Sequence, residues 1–171
     1  MKIRDEELVE AGWKLLRGGL NAFTASPTLM ELAGDPARIK DLGLILGGDV
    51  TILQERIAIA STAMPEVQTD ESTLIMAFIT AMVEVKASKG TGCSTGTRLE
   101  SLTDEASIEA ARNAIASIGG ERIRSGEYSV IFGRQPVADL LNNLILPSVS
   151  LSAFYSDSST FVGKLGKKVA S

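Results

Sequence analysis

Cys93 is the only cysteine in the sequence, which contains no histidine. A structural zinc site takes about four cysteine or histidine ligands, and a catalytic zinc site about three protein ligands that are rich in histidine. A Ser-His-Asp or Cys-His arrangement also requires an imidazole as its base. The composition therefore excludes histidine-based metal and catalytic sites. It leaves chemistry by carboxylates, lysine or main-chain groups, or no chemistry at all.

Carboxylates are the first group of candidates that remain. Paired acids catalyse some hydrolyses, and clustered oxygens hold Mg²⁺ or Ca²⁺. The candidates are Asp49, Asp70, Glu71, Glu84 and Asp104. No dense spacing of the D-x-D-x-D kind brings them together, so caps and turns in contact with solvent are the better interpretation. An independent enzyme that uses carboxylates with Mg²⁺ stays open as an alternative.

Cys93 lies in a run rich in glycine and hydroxyl side chains, residues 90–97. The run predicts a hairpin or bulge loop rather than a phosphate cradle, because no lysine follows Gly96 and the next helix starts only near Thr103. Lys89 is the only base close to the thiol in the sequence, so an inert, partly buried cysteine is favoured over a nucleophile. A Cys93-dependent enzyme is the second alternative.

Composition narrows the class of protein further. The 171 residues suit one domain, or one domain with part of another. The net charge of -4 argues against binding to a nucleic-acid backbone. No apolar run reaches the length of about 20 residues that spans a membrane, and the start of the sequence lacks the apolar core of a signal peptide. We therefore expect a cytoplasmic protein that binds neither nucleic acid nor membrane.

The first predicted element is a helix over residues 5–23, with acidic residues in its first turn. Its apolar residues recur at spacings of three and four, which predicts one buried stripe. Gly18-Gly19 is expected to weaken its last turn. The stripe consists of Val9, Trp13, Leu16, Leu20 and Phe23.

Further along, β-branched and apolar runs indicate strands. Residues 52–61 and 73–87 predict an antiparallel pair joined by the polar stretch 65–72. Residues 128–132 predict another short strand. With the helices, these elements indicate an α/β or α+β fold, in which helices pack on a mixed or antiparallel sheet.

Two later helices complete the pattern. One is capped by Thr103 and stopped by Gly119-Gly120. The other opens at Gln135-Pro136, because proline is tolerated at the first helical position, and Pro147 ends or kinks it.

The later part of the sequence also contains motifs of a known family. Residues 124–132 read RSGEYSVIF, which resembles the family's "sGeypVvf" strand, and residues 135–141 look like the helix that follows it. Residues 158–169 resemble the motif "sS.F.gklGe.v", while residues 47–50 and 103–116 fit the same register. On these motifs the chain resembles the TldD/PmbA family.

The resemblance implies a division of the chain near residue 43. Residues 1–42 match the family poorly and are expected to form a helical N-terminal segment. Residues 43–171 are expected to form an α/β domain that resembles the N-terminal domain of TldD/PmbA proteins. Family chains usually continue into a β-rich C-terminal domain. That domain is expected to be absent here, so that the chain is a fragment or a short homologue.

The family has two types, which differ in one motif. TldD-type members carry an H-E-x-x-x-H zinc motif on the helix after the "ypVv" strand and cleave peptides, whereas PmbA- or TldE-type members lack it. The motif positions fall on Asn142, Asn143 and Pro147. Asparagine is a poor zinc ligand, proline offers none, and Pro147 also distorts the helix. We therefore expect no metal, no cofactor and no catalytic residue in this chain.

The resemblance implies a function without catalysis of its own. The chain is expected to be a noncatalytic PmbA/TldE-like subunit or domain of a TldD/TldE-type zinc metallopeptidase, in peptide maturation or proteolysis. Its partner would be a TldD-like subunit or a second copy of the chain, and a peptide substrate would be bound through that partner. A purely structural dimerisation module is a further alternative.

The helix over residues 136–146 carries more apolar side chains than one packed face needs. They are Val137, Leu140, Leu141, Leu144, Ile145 and Leu146. Exposed apolar patches often mark interfaces, so we expect Leu144 and Leu146 to lie in the interface of an oligomer. The alternative is that residues 1–42 fold back and cover this helix.

Overall fold

A computed structural model describes residues 4–169 of the chain. The described residues divide into two units, one that ends at Arg122 and one that begins at Ile123. The first unit holds a three-stranded antiparallel sheet with helices packed on it, which confirms the predicted mixed fold of helices and sheet. None of the described helices is both long enough and apolar enough to cross a membrane.

The first unit combines α-helices with a β-hairpin and a third strand. Its α-helices are α1 (Asp5–Thr24), α2 (Pro27–Ala33) and α3 (Glu105–Ala116). Its strands are β1 (Leu44–Ile59), β2 (Gln68–Val83) and β3 (Ser88–Gly96). Short 3₁₀ helices lie at Pro36–Leu42, Glu84–Lys86 and Leu99–Ser101.

β2 is the central strand and pairs with β1 over its whole length. The register starts with Leu44 opposite Val83, so the two strands form one long hairpin. β3 pairs only with residues 75–83 of β2, so the far half of the hairpin projects beyond it as a two-stranded arm. The predicted antiparallel pair is confirmed, although its turn comes earlier in the chain than expected.

β3 occupies the glycine-rich run, so the prediction of a loop there is wrong. A Cβ atom on Gly92 would lie 2.0 Å from the carbonyl oxygen of Ala106, and one on Gly90 would lie 2.2 Å from the main-chain nitrogen of Ala114. Only glycine lets α3 approach the strand this closely. The packing of the helix therefore overrides the low β-propensity of glycine.

α3 is the helix around which the first unit packs. It turns Ala106, Ala110 and Ala114 toward the sheet, and all three are fully buried. The hydroxyl of Ser107, also buried, donates a hydrogen bond to the Leu15 carbonyl in α1. Small residues thus let one helix contact both the sheet and a second helix at short range.

Gly18 and Gly19 lie where α1 crosses α3. A Cβ atom on Gly18 would lie 2.4 Å from the Cβ of Asp104, and one on Gly19 would lie 2.8 Å from the Cβ of Ser107. The pair is therefore a packing feature inside α1, which continues to Thr24. The prediction that these glycines merely weaken the last turn is wrong.

α1 follows the predicted range but turns a different face to the core. Leu15 and Phe23 are 1% and 0% exposed, whereas Val9, Trp13 and Leu20 of the predicted stripe are 59%, 54% and 49% exposed. The close approach at the glycine pair rotates the helix so that most of the stripe faces outward. The prediction of one buried stripe is therefore wrong for these three side chains.

The second unit consists of short helical pieces. They are α4 (Arg134–Leu140), a π-helical turn (Leu141–Ile145), α5 (Leu146–Ser148) and α6 (Leu151–Tyr155). The predicted helix that opens near Gln135 is confirmed. Residues 128–132 form no strand, so that prediction is wrong. In the described chain they pair with no other strand. High β-propensity alone does not form a strand, because the main-chain groups need a partner strand for their hydrogen bonds.

Burial separates the two units. The core of the first unit contains leucine, isoleucine, valine and phenylalanine side chains from its helices and from β2, together with the alanines of α3. Among the described residues of the second unit, only Ser159 is buried. The second unit therefore has no apolar core of its own in the described chain.

Candidate functional site

The three degenerate motif positions lie on the helical segment that α4, the π-helical turn and α5 form. Asn142 and Asn143 fall inside the turn, and Pro147 falls in α5. The Leu146 N–H donates to the Leu141 carbonyl, which is a bond over five residues rather than four. Pro147 has no N–H to donate, so the wider turn directly precedes the residue that cannot continue the ordinary helical pattern.

The π-helical turn changes which side chains share a face. In an α-helix each residue advances about 100°, so two positions five residues apart point about 140° away from each other. A turn closed over five residues brings the first and the sixth position close to the same side. Leu141 and Leu146 stand in this relation, and Asn142 and Pro147 are the next pair of positions at the same spacing.

The side chains at the three motif positions do not fit a zinc ion. Pro147 has no donor atom, and the amide of Asn142 is a poor ligand. Asn143 donates a hydrogen bond from Nδ2 to the Asp139 carbonyl at 2.9 Å, so its amide is already engaged with the helix. Nowhere in residues 4–169 do three histidine, cysteine, aspartate or glutamate side chains gather.

The five candidate carboxylates are not brought together. Asp49 lies on β1 opposite Phe78, while Asp70 lies on β2 in the projecting arm. At about 3.4 Å per residue, the eight residues between positions 70 and 78 of β2 separate these carboxylates by roughly 27 Å. Glu71 is bound to Arg56 at 3.1 Å, and the remaining two acids lie elsewhere, in the turn after β2 and before α3.

Cys93 lies on β3, half-buried and opposite Phe78. Strand alternation places it on the face of the sheet away from α3, and its main-chain N–H donates to Oε2 of Glu109 at 3.3 Å. Lys89 shares that face, but four residues of strand place it about 14 Å along β3. The base that the sequence offered is therefore too far away to activate the thiol.

Leu144 and Leu146 are 54% and 56% exposed, and the apolar side chains around them on the same segment are exposed as well. The described chain thus leaves a continuous run of apolar surface where the sequence predicts a surplus of it. The interface itself stays a prediction.

One functional pattern escaped the sequence reasoning, namely a row of polar side chains on α3. Glu109, Asn113 and Ser117 recur every four residues and hydrogen-bond to main-chain atoms of β3. The spacing was visible in the sequence. Its target was not, because β3 itself was predicted to be a loop.

Residues 125–171 match the family model described as PmbA/TldA metallopeptidase C-terminal domain. The matched range includes α4, the π-helical turn and the three motif positions. Its description differs from the expectation that residues 43–171 form one domain without the C-terminal domain of the family. Neither a curated protein nor a solved structure matches the chain.

Proposed function

Because residues 125–171 match the PmbA/TldA metallopeptidase C-terminal domain, we propose that the chain is a noncatalytic PmbA/TldE-like subunit or domain of the PmbA/TldD family. It serves a TldD/TldE-type zinc metallopeptidase in peptide maturation or proteolysis. The observation that carries this proposal is that Asn142 and Asn143, on the π-helical turn, and Pro147, in α5, occupy the three motif positions.

The same three residues support a role beside a catalytic partner. A metallopeptidase activates water with a metal ion held by protein ligands and a carboxylate that accepts the proton. Asn143 stands where that carboxylate would be, and an amide does not accept a proton at neutral pH. Catalysis therefore belongs to another subunit, and this chain contributes surface.

The apolar surface around Leu144 and Leu146 supports a role in assembly. A half-exposed leucine is unremarkable alone, but a run of them on one short helical segment favours an interface. The cover is a TldD-like subunit or a second copy of the chain. A peptide substrate is bound through that partner, in the cytoplasm.

The test combines metal analysis with a peptidase assay on the full chain, alone and mixed with a TldD-type subunit. We expect no stoichiometric zinc in the chain alone, and higher peptidase activity of the partner when the chain is added. Leu144→Asp should reduce the stimulation, whereas Leu151→Asp, at an exposed leucine outside the run, should not. Zinc at one ion per chain that survives dialysis against a mild chelator would overturn the proposal.

Cys93 distinguishes this proposal from the rival enzyme. Since Lys89, the base that the sequence offered, lies about 14 Å along β3 from Cys93, Cys93→Ala should leave the peptidase activity of the mixture unchanged. A variant that still assembles with its partner, as judged by gel filtration, but loses activity would favour a Cys93-dependent enzyme instead.

A further inference from the structure

The two edges of the sheet differ in how far they are covered by other parts of the chain. On β3, side chains of α3 occupy the outer edge: Asn113 Nδ2 donates to the Thr91 carbonyl at 2.8 Å, and the Ser117 hydroxyl donates to the Lys89 carbonyl at 3.0 Å. Glu109 accepts from the third edge residue at 3.3 Å. An uncovered edge is a template for another strand, so this row closes one side of the sheet.

The other edge, on β1, has no such cover over residues 47–50. In the described chain no strand lies beyond β1, and no hydrogen bond joins the main chain of these four residues to anything but β2. Every second N–H and C=O of an outer strand points away from its neighbour. This stretch therefore offers main-chain donors and acceptors that only another extended backbone can pair with in sequence.

A groove runs beside this open edge, between β1 and α1. It has a volume of about 290 Å³, and its lining includes Val9 and Leu16 of α1, Gly48 and Val50 of β1, and Ile79 of β2. At Gly48 a Cβ atom would meet the Phe78 carbonyl oxygen, so β1 presents main chain rather than a side chain at this point of the lining. The neighbouring Gly47 has nothing within 4 Å of the position of a Cβ atom, so the space beside it is open.

The groove carries charge of one sign, which is negative. Asp49 is the one charged residue of its lining among the described residues, and its carboxylate accepts from the Thr51 hydroxyl at 3.3 Å. An acidic group beside an apolar groove favours a ligand that carries a basic side chain next to apolar ones. Trp13, one helical turn from Val9 on the exposed face of α1, is 54% exposed and extends the apolar surface.

We propose that this groove binds an extended apolar peptide segment with a basic residue, by addition of a strand to β1. The peptide main chain pairs with the edge, alternate side chains enter the groove above Ile79, and the basic side chain meets Asp49. The inference rests on the proposed function only for the class of ligand, a peptide. The site lies in the first unit and does not involve the motif positions.

The test uses the full chain alone, with an acetylated and amidated Lys-Val-Thr-Val-Thr-Val peptide as the probe. Trp13 is the only tryptophan and lies one helical turn from Val9, so its fluorescence reports binding beside the groove. We expect a saturable blue shift of its emission. Methylation of alternate peptide amides should abolish the shift in one of the two alternating sets and spare it in the other, because only one set pairs with β1.

Two variants on α1 provide the matched comparison. Val9→Glu places a charge in the groove and should weaken binding by about tenfold or more. Leu20→Glu, at a similarly exposed position of the same helix outside the groove, should bind as the unmodified chain does. Asp49→Asn should weaken binding of the lysine peptide but not of a peptide with norleucine in place of lysine.

The proposal is overturned if the peptide causes no shift up to millimolar concentration, if both methylated sets bind equally well, or if the two α1 variants lose binding equally. Because no metallopeptidase is present, these results leave the zinc and stimulation measurements of the proposed function untouched. The two hypotheses can therefore fail separately.

Discussion

The first and second units of the chain differ in what they do with apolar side chains. The first buries them between α1, α3 and the sheet, where Leu15, Phe23 and Ile75 are at most 1% exposed. The second exposes them, with Ile131 and Leu165 at 99%. Apolar content alone does not make a core. The helices and strands must also be long enough to pack on one another, with side chains small enough where they meet.

The lengths of the helices account for much of this difference. α1 has 20 residues and α3 has 12, whereas α4 has 7 and α6 has 5. Isolated helices shorter than about 12–15 residues are marginal in water, and most helical stability in proteins comes from packing. Within its own described residues, the second unit therefore lacks the packing that stabilises short helices.

The largest expected effect is on separate fragments. Residues 1–122 alone should unfold in a single cooperative transition with urea, because the core lies within them. Residues 123–171 alone should show the far-ultraviolet circular dichroism of an unfolded chain. A cooperative transition of the smaller fragment would remove the distinction between the two units.

A smaller but still large effect is expected at the glycines of the sheet. Gly92→Val should lower the free energy of unfolding by about 3 kcal/mol or more, because its side chain meets main-chain atoms of α3 that cannot move aside. Gly47→Val, in β1 with open space around it, should change it by less than about 0.5 kcal/mol. Equal losses in urea melts would mean that the close approach of α3 is not the cause.

Leucines of the two units should respond oppositely. Leu15→Ala should cost about 2–5 kcal/mol of stability, as expected for a leucine in a packed core. Leu144→Asp and Leu146→Asp should change stability by less than about 0.5 kcal/mol, since both side chains are exposed. Sedimentation at several concentrations should show that the unmodified chain self-associates and that the two aspartate variants shift toward monomer. A monodisperse monomer at high concentration would contradict the interface.

The smallest effect concerns pH at the start of α1. The Arg4 main-chain N–H donates to Oε2 of Glu7 at 2.9 Å, and this bond holds the pKa of Glu7 below its ordinary value. A carboxyl group whose pKa is lowered by folding stabilises the protein above its unfolded pKa, and loses that contribution as pH falls through its folded pKa. Carbon-detected NMR titration should give a midpoint below that of a glutamate in an unfolded peptide. A midpoint at or above that of the peptide would exclude the bond in solution.

The sequence predicted those elements whose hydrophobic pattern agrees with their packing. The hairpin of β1 and β2 follows from β-branched runs, and α3 from its cap and period. β3 was not predicted from the sequence, because Gly90 and Gly92 are required by the close packing of α3. That is a tertiary requirement, and it leaves no local signal in the sequence. Residues 128–132 are the opposite case: their β-propensity is strong, but they form no strand because no other strand of the described chain pairs with them.

The residues of the candidate site could be predicted from the sequence, but the conformation of their backbone could not. Asn142 and Pro147 could be placed by motif, and their chemistry follows from their side chains. The π-helical turn, which holds Asn142 and ends just before Pro147, has no pattern of its own in the sequence, apart from the proline beside it. The groove at β1 was likewise hidden, because the periodicity of α1 predicted Val9 on the inside.

Amide hydrogen exchange across the full chain tests the difference between the two units most directly. It should be measured at a concentration where the chain is monomeric by sedimentation. We predict that amides of β2 and α3 exchange only through global unfolding, while amides of residues 134–148 exchange with little protection. Protection of residues 134–148 equal to that of α3 in the monomer would contradict the claim that the second unit has no stabilising core of its own.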